Sequence, residues 1–207
     1  MNTPTLVDNI IYNAKGHKRF IVAIAGPPGA GKSTLADELL SLLSKKAVQA
    51  RIIPMDGFHL DNVLLAQRQL TDRKGAPNTF DVAGFVHLIK RLVSLEDNVV
   101  IPTFDRNKDL CIAGSQVVSI SDRVLIVEGN YLLLKEGLWA GLSQFWDQTI
   151  FINPGIDVLE ERLIKRWLEH GLEPEAAKLR ALSNDIPNAH CVVEHSVDAD
   201  QTLNCLT

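Results

Sequence analysis

Cysteine is scarce in this sequence and widely spaced. The 207 residues include three cysteines, Cys111, Cys191 and Cys205. Their separations match neither the paired spacing of zinc ligands nor the dense pattern of small disulfide-bonded domains. The cysteine content therefore favours a reducing compartment, and we expect a cytoplasmic protein.

Long apolar segments and basic segments are also missing. No run reaches the roughly 18 apolar residues of a membrane span, and the N-terminus has no basic stretch followed by an apolar run, as a secretory signal would. The 21 lysines and arginines are outnumbered by 25 aspartates and glutamates, which gives a net charge of −4. The sequence therefore indicates neither a membrane partner nor a nucleic-acid partner.

The segments that are present alternate between strand-like and helix-like patterns. Apolar runs typical of buried strands lie at 19–26, 51–54, 98–104, 122–129 and 148–153, and helical periodicity at 32–47, 80–94 and 156–171. This alternation favours a mainly parallel sheet with helices on both faces, a three-layer α/β/α fold. The length suits one domain over residues 1–207, in which segment 71–79 is a loop and not a boundary.

The segment 26–33, GPPGAGKS, matches the phosphate-binding pattern G-x-x-x-x-G-K-[ST]. It follows a strand-like run and opens a helix-like one, which is the context that the pattern requires. Glycines let backbone N–H groups turn towards phosphate oxygens, and the helix N-terminus favours an anion. We expect Lys32 to reach the β and γ phosphates and Ser33 to ligate Mg²⁺. The predicted nucleotide-binding residues are Gly26, Gly29, Ala30, Gly31, Lys32, Ser33 and Thr34.

Other motifs narrow the class of nucleotide-binding protein. A GTPase needs N-K-x-D for guanine, whereas NKDL (107–110) carries Leu110 in the last position. The DGF at 56–58 has neither the order nor the context of the D-F-G of a protein kinase. An ATPase motor or a small-molecule kinase is left, with ATP as the expected nucleotide, although a preference for ATP over GTP stays open.

Two carboxylates follow predicted strands at the edge where ligands bind in open α/β sheets. Asp56 comes two residues after RIIP (51–54), and Glu128 closes the run VLIVE. Asp56 could accept the proton of an alcohol and aim its oxygen at the γ phosphorus, or it could simply lie in a turn or cap a helix. Glu128 could serve Mg²⁺ directly or through water, or it could bond to backbone at the strand end.

Basic residues occur in two further places. Arg73 and Lys74 lie in RKGAPNTFD (73–81), where they could contact the substrate or form an ordinary solvated loop. Arg162 and Arg166 are four apart and share one face of a predicted helix. Because arginine favours planar contacts with phosphate, this pair could close over the transferring γ phosphate, or it could pair with neighbouring glutamates at the surface.

Taken together, the motifs GPPGAGKST, MDGFH, RKGAPNTFD, IPTFDR, IVEGNYLL and RLIKRW resemble the phosphate-loop kinase family of uridine kinase, phosphoribulokinase and bacterial pantothenate kinase. The resemblance covers roughly residues 19–190 and implies the P-loop NTPase fold with a small helical lid at about 156–185. It implies Asp56 as the base and Glu128 as a carboxylate on the Mg²⁺ side. By the same resemblance, Arg162 and Arg166 are lid arginines, and the acceptor pocket contains Phe104, Asp105 and Arg106.

The sequence also departs from its larger relatives. It lacks the N-terminal extension and aromatic pocket elements of pantothenate kinases, and TFDRNKD has no histidine where uridine kinases carry a Tyr/His pair. The short chain is similar to a compact branch of fructose transport system kinases, which suggests a sugar acceptor without establishing one. His59 replaces an apolar residue or Tyr after D-G-F and either contacts the acceptor or faces water.

The predicted function is therefore ATP-dependent phosphorylation of a hydroxyl on a small metabolite, of sugar, pantothenate or nucleoside type. The alternative is a P-loop ATPase or nucleotide-dependent regulator without such an acceptor. Trp167 is predicted to pack in the core, whereas Asn184, Asp185 and Asn188 either form turns or approach a ligand. A homodimer is one option for the assembly, and no pattern assigns a role to residues 186–207.

Overall fold

The computed structural model describes residues 3–204, so Cys205 and both ends of the predicted domain 1–207 lie outside the described residues. The helices are α1 (Thr3–Asn13), α2 (Lys32–Lys45), α3 (Asn62–Gln67), α4 (Val82–Val93), α5 (Ile156–Glu169), α6 (Pro174–Arg180) and α7 (Ile186–His195). The strands are β1 (Phe20–Ala25), β2 (Ala50–Pro54), β3 (Val99–Asp105), β4 (Leu110–Val118), β5 (Val124–Gly129), β6 (Gln148–Ile152) and β7 (Gln201–Leu203). No helix in this range is long and apolar enough to cross a bilayer.

A parallel sheet of strand order β2-β5-β1-β6-β7 forms the centre of the described chain. Strands β1 and β5 are fully buried because helices cover both faces of the sheet, as the unbroken apolar runs predicted. Alternate β1 residues face opposite ways: Ile21 packs with α4, whereas Val22 packs with α1, α2 and α5. The predicted three-layer α/β/α fold is confirmed.

The segment 98–104 was predicted as a further strand in the βα alternation, and this placement was wrong. Strand β3 does form there, but it pairs antiparallel with β4, which the sequence analysis missed, in a separate two-stranded sheet. The reason is local: NKD at the tip allows a tight turn, with Asp109 at a positive φ of 53°. The hairpin packs against the turn Met55–Phe58 and so becomes one wall of the site.

Segments that connect the predicted elements are more helical than their sequences indicated. The loop 71–79 contains two short 3-10 turns, Thr71–Arg73 and Pro77–Thr79. A helix forms where 156–171 was predicted to be helical, namely α5, and α6 runs through a π-helical turn, Ala181–Asp185, directly into α7. Single π-turns inside helices are frequent at functional sites, and this one carries Asp185 to the site described below.

Candidate active site

The phosphate loop leaves β1 and curls into the N-terminus of α2. Gly29 and Gly31 have positive φ angles of 78° and 100°, a region that residues with a side chain rarely adopt. A Cβ on Gly29 would also lie 3.2 Å from Leu163 of α5. The glycines of the motif are therefore required by backbone conformation and by close packing against α5.

Lys32 is the first residue of α2 and is almost completely buried, with 8% of its surface exposed. Its ammonium donates hydrogen bonds to the Pro27 carbonyl at 2.9 Å and to Asn130 Oδ1 at 2.6 Å. Burial lowers the pKa of Lys32 to about 8, although the nearby carboxylates of Glu128 and Asp56 oppose the change. An anion that entered the loop would favour the charged form of this buried lysine.

Ser33 and Glu128 meet at the carboxyl end of the sheet. The Ser33 hydroxyl donates to Glu128 Oε2 at 3.3 Å, and burial, together with the charge of Asp56, raises the pKa of Glu128. The described residues contain no group of three or more His, Cys, Asp or Glu that could enclose a metal. Two adjacent hard oxygens nevertheless fit Mg²⁺, which is commonly held by one or two protein oxygens plus phosphates and water.

Asp56 lies in the 3-10 turn Met55–Phe58 that follows β2, and its carboxylate lines the same cavity as Lys32. Parallel pairing of β2 with β5 sets Pro54 opposite Glu128 and brings the two carboxylates to one edge. Gly57 holds the turn close to the hairpin, because a Cβ there would lie 2.7 Å from the Pro102 carbonyl oxygen.

The wall beyond Asp56 is formed by aromatic and basic side chains. The His59 ring packs between Phe80 and Phe104, with centroids 4.1 Å and 4.7 Å away, and its Nδ1 is 2.9 Å from the Asp56 carbonyl. Burial lowers the pKa of His59, which favours a neutral ring. Lys74 lies over Phe104, with its ammonium 5.3 Å from the ring centre.

The opposite wall comes from α5 and the π-turn. The Arg166 side chain lines the cavity, and burial lowers its pKa. The Trp167 indole donates to Asp185 Oδ2 at 2.6 Å, and the Arg180 guanidinium lies 5.3 Å from the Trp167 ring. Trp167 therefore contributes to the cavity as well as to packing, and Asp185 and Asn188 reach the cavity and do more than form turns.

The structure gathers most of the predicted site residues around one cavity of about 330 Å³. The predicted residues that line it are Gly29, Gly31, Lys32, Ser33, Thr34, Asp56, His59, Lys74, Phe104, Arg106, Glu128 and Arg166. Five others lie outside its lining: Gly26, Ala30, Arg73, Asp105 and Arg162. The roles of both groups stay predictions.

Three of these outlying residues contact backbone instead. Arg73 donates to the Ser183 carbonyl, and Asp105 accepts from the N–H groups that follow it in the hairpin turn. Arg162 donates to the carbonyls of Gly29 and Ala30 at 3.3 Å, which ties α5 to the phosphate loop. Their side chains therefore hold the walls of the cavity in place.

Sequence reasoning missed several lining residues. Asn130 follows Glu128 by two positions, and its place in IVEGN next to a strand end could have signalled a site residue. Asp109 and Arg180 gave no such signal, because the first lies within the failed guanine motif NKDL and no motif contains the second. Both reach the cavity only through tertiary packing of the hairpin and α6.

A glycine-rich loop after the central strand, with a lysine at its end and a carboxylate across the cavity, defines a phosphate-loop nucleotide-binding protein. The family follows from the sequence match: residues 21–178 fit the model of the Phosphoribulokinase / Uridine kinase family, and the chain belongs to it. The resemblance stated from the motifs is confirmed.

Individual relatives agree with this assignment. A crystal structure described as a "putative fructose transport system kinase" from Silicibacter sp. TM1040 is 43% identical, with a TM-score of 0.93 over 98% of both chains. The uncharacterized Escherichia coli K12 protein YggC is 36% identical over 88% of this chain and 76% of its own length. A pantothenate kinase from Enterococcus faecalis is 30% identical over 72% of this chain but 49% of the kinase. The fructose transport system kinase structure thus matches over nearly the full length of both chains, whereas the pantothenate kinase extends well beyond the matched region.

Proposed function

We propose that this protein transfers the γ-phosphoryl group of ATP to a hydroxyl of a small-molecule acceptor, with Asp56 as the base. The observation that carries the proposal is the shared cavity, which is lined both by Asp56 and by residues of the phosphate loop. A kinase needs such a proton acceptor on the far side of the γ phosphate, whereas binding of ATP alone does not.

The phosphate loop and α2 N-terminus would hold the triphosphate through backbone N–H groups and the Lys32 ammonium. Ser33 and Glu128 would hold Mg²⁺, which when bound neutralises phosphate charge and orients the β and γ oxygens. The acceptor oxygen then attacks the γ phosphorus, the bond from that phosphorus to the β–γ bridging oxygen breaks, and ADP leaves. The hydroxyl proton passes to Asp56, and Arg166 offsets charge on the transferring group.

A P-loop ATPase or nucleotide-dependent regulator is the competing function, since the same loop could position water in place of an alcohol. The wall of aromatic and polar side chains beyond Asp56 favours an organic acceptor. A cytoplasmic location, the absence of a nucleic-acid partner and the organisation of residues 1–207 as one domain stay proposals from the sequence.

Acceptor dependence distinguishes the two functions. ADP formation from Mg·ATP should rise at least about tenfold above the acceptor-free rate with one compound from a panel of pantothenate, uridine, cytidine, fructose, ribose and ribulose 5-phosphate. The coupled assay should be accompanied by detection of the phosphorylated product. An equal rate of hydrolysis in every well would favour the ATPase.

Arg166 and Arg162 should affect different kinetic constants. Arg166→Met should lower kcat by about 10²-fold, because its guanidinium enters the cavity where charge develops. Arg162→Met should mainly raise the KM for ATP by several-fold, because it loosens the loop carbonyls of Gly29 and Ala30. Steady-state kinetics with ATP varied at saturating acceptor measures both. A larger fall of kcat in Arg162→Met than in Arg166→Met would reverse these assignments.

A further inference from the structure

The charge that the acceptor carries can be inferred from the cations of the cavity. Five basic side chains line it, namely Lys32, Lys74, Arg106, Arg166 and Arg180. Under the proposed function, Lys32 and Arg166 contact the phosphates of ATP. A side-chain cation for an anionic group on the acceptor would therefore have to come from the other three.

Lys74 has no hydrogen-bonding capacity left for an acceptor. Its ammonium lies 2.7 Å from Asn62 Oδ1, 2.9 Å from the Asp109 carbonyl and 2.8 Å from Asp109 Oδ2. An ammonium has three N–H groups, so all of them are used. The Lys74 side chain is only 11% exposed, whereas that of Asp109 is 54% exposed, so Asp109 neutralises Lys74 at the edge of the wall.

Arg106 and Arg180 are also engaged. Arg106 Nη2 lies 3.4 Å from Asp56 Oδ2, so an acceptor anion placed on Arg106 would sit beside the carboxylate of the proposed base. Arg180 donates to the Asp72 carbonyl at 2.8 Å and stacks near Trp167, whose indole binds Asp185. Each of these two arginines is thus accompanied by a carboxylate that would repel an anion.

The remaining surface of the acceptor side suits hydroxyl groups. Phe104 and Trp167 add aromatic surface to the lining, and the carboxylates of Asp56 and Asp185, which also line the cavity, can accept hydrogen bonds from O–H groups. Hydroxyls are donors as well as acceptors, so they can bind next to these carboxylates where a second anion cannot.

We propose that the acceptor is an uncharged polyhydroxy compound of the sugar or polyol class, and that the Lys74–Asp109 pair helps the cavity to reject carboxylates and phosphate esters. This rests on the proposed kinase function. The inference adds to that function, because some relatives are named as kinases of charged compounds and others as kinases of uncharged compounds, so the family does not determine the charge of the acceptor.

Matched pairs of acceptors that differ in one ionised group test the proposal. Suitable pairs are fructose with fructose 6-phosphate, glycerol with glycerate, and pantothenol with pantothenate, at constant ionic strength. In each pair that supports turnover, kcat/KM should be at least roughly tenfold higher for the uncharged member. Equal or better use of the charged member overturns the inference but leaves the kinase function intact. If ATP hydrolysis occurs without an acceptor and no compound accelerates it, the proposed kinase function is wrong, and so is the inference that rests on it.

Variants of the Lys74–Asp109 pair give a second test, because the two substitutions should change the preference in opposite directions. Asp109→Asn leaves the charge of Lys74 uncompensated and should lower the preference for the uncharged member about tenfold. Lys74→Gln leaves the carboxylate of Asp109 without its cation and should raise the preference for the uncharged member. The control is Lys108→Gln, which removes an exposed charge from the same turn at a side chain paired with Asp105. If the preference for the uncharged member is unchanged in both pair variants, the pair does not help the cavity to reject anions. Circular dichroism checks that each variant is folded.

Discussion

Replacing Asp56 by Asn should lower acceptor-dependent kcat by about 10²- to 10⁴-fold and leave the affinity for ATP nearly unchanged. The range is that of a positioned general base. Asparagine keeps the shape of the side chain, so the turn Met55–Phe58 and its contact with the hairpin should persist. What is lost is the carboxylate that would take the hydroxyl proton. The loss should therefore appear in kcat and leave binding of the nucleotide intact.

The measurement combines steady-state kinetics with calorimetric titration of Mg·ATP on the same protein. Asp198→Asn is a matched control, because it makes the same chemical change at an exposed position remote from the cavity. Turnover of Asp56→Asn at the rate of the control would show that Asp56 is not the base. Loss of ATP affinity comparable to the loss of kcat would instead assign Asp56 to nucleotide or metal binding.

The parts of this site that could be predicted from the sequence are those fixed by local chain geometry. The phosphate loop follows β1, Asp56 follows β2 and Glu128 is near the end of β5, and parallel strands end at a common edge. Knowing the strands was therefore enough to bring these three features together. The register confirms it, since Ala25 pairs with Gly129 and Pro54 with Glu128.

The parts that could not be predicted depend on packing between distant elements. The apolar alternation of 98–104 is the same whether the strand joins the parallel sheet or forms a hairpin with β4, so the pattern could not choose. Arg162 and Arg166 share a predicted helix face, yet one turn of α5 is enough to place Arg162 on loop carbonyls and Arg166 in the cavity. Asp109 reaches the cavity because it lies at the tip of the hairpin, and its partner Lys74 is 35 positions away in the sequence.

The fold also shows how the acceptor side is held together. Asn184 donates to the Lys74 carbonyl, and Arg73 donates to Asn188 Oδ1. These hydrogen bonds connect the π-turn and α7 to the loop that carries Lys74. The two walls of the cavity are thus linked by hydrogen bonds away from the reacting atoms.

Replacing Lys32 by Met should weaken binding of Mg·ATP by about 10- to 100-fold, the range for losing a hydrogen bond between charged groups. The acceptor-dependent rate at saturating ATP should fall by a further factor of about 10² or more, because the ammonium also faces the charge that develops on the phosphoryl group. Both losses follow from its position at the start of α2, buried beneath the cavity and aimed at it. This pattern differs from that of Asp56→Asn, in which binding persists.

Calorimetry and the increase in melting temperature on addition of Mg·ATP measure the binding loss independently of turnover. Lys45→Met is the matched control, since it removes an exposed lysine from the last turn of the same helix. Because Lys32 is close to Glu128, thermal unfolding without nucleotide must first show that Lys32→Met is folded. A folded variant that binds ATP as tightly as the control would remove the phosphate loop from the nucleotide site. The acceptor is placed next to Asp56 only because ATP is placed on the phosphate loop, so this result would contradict the whole proposed mechanism.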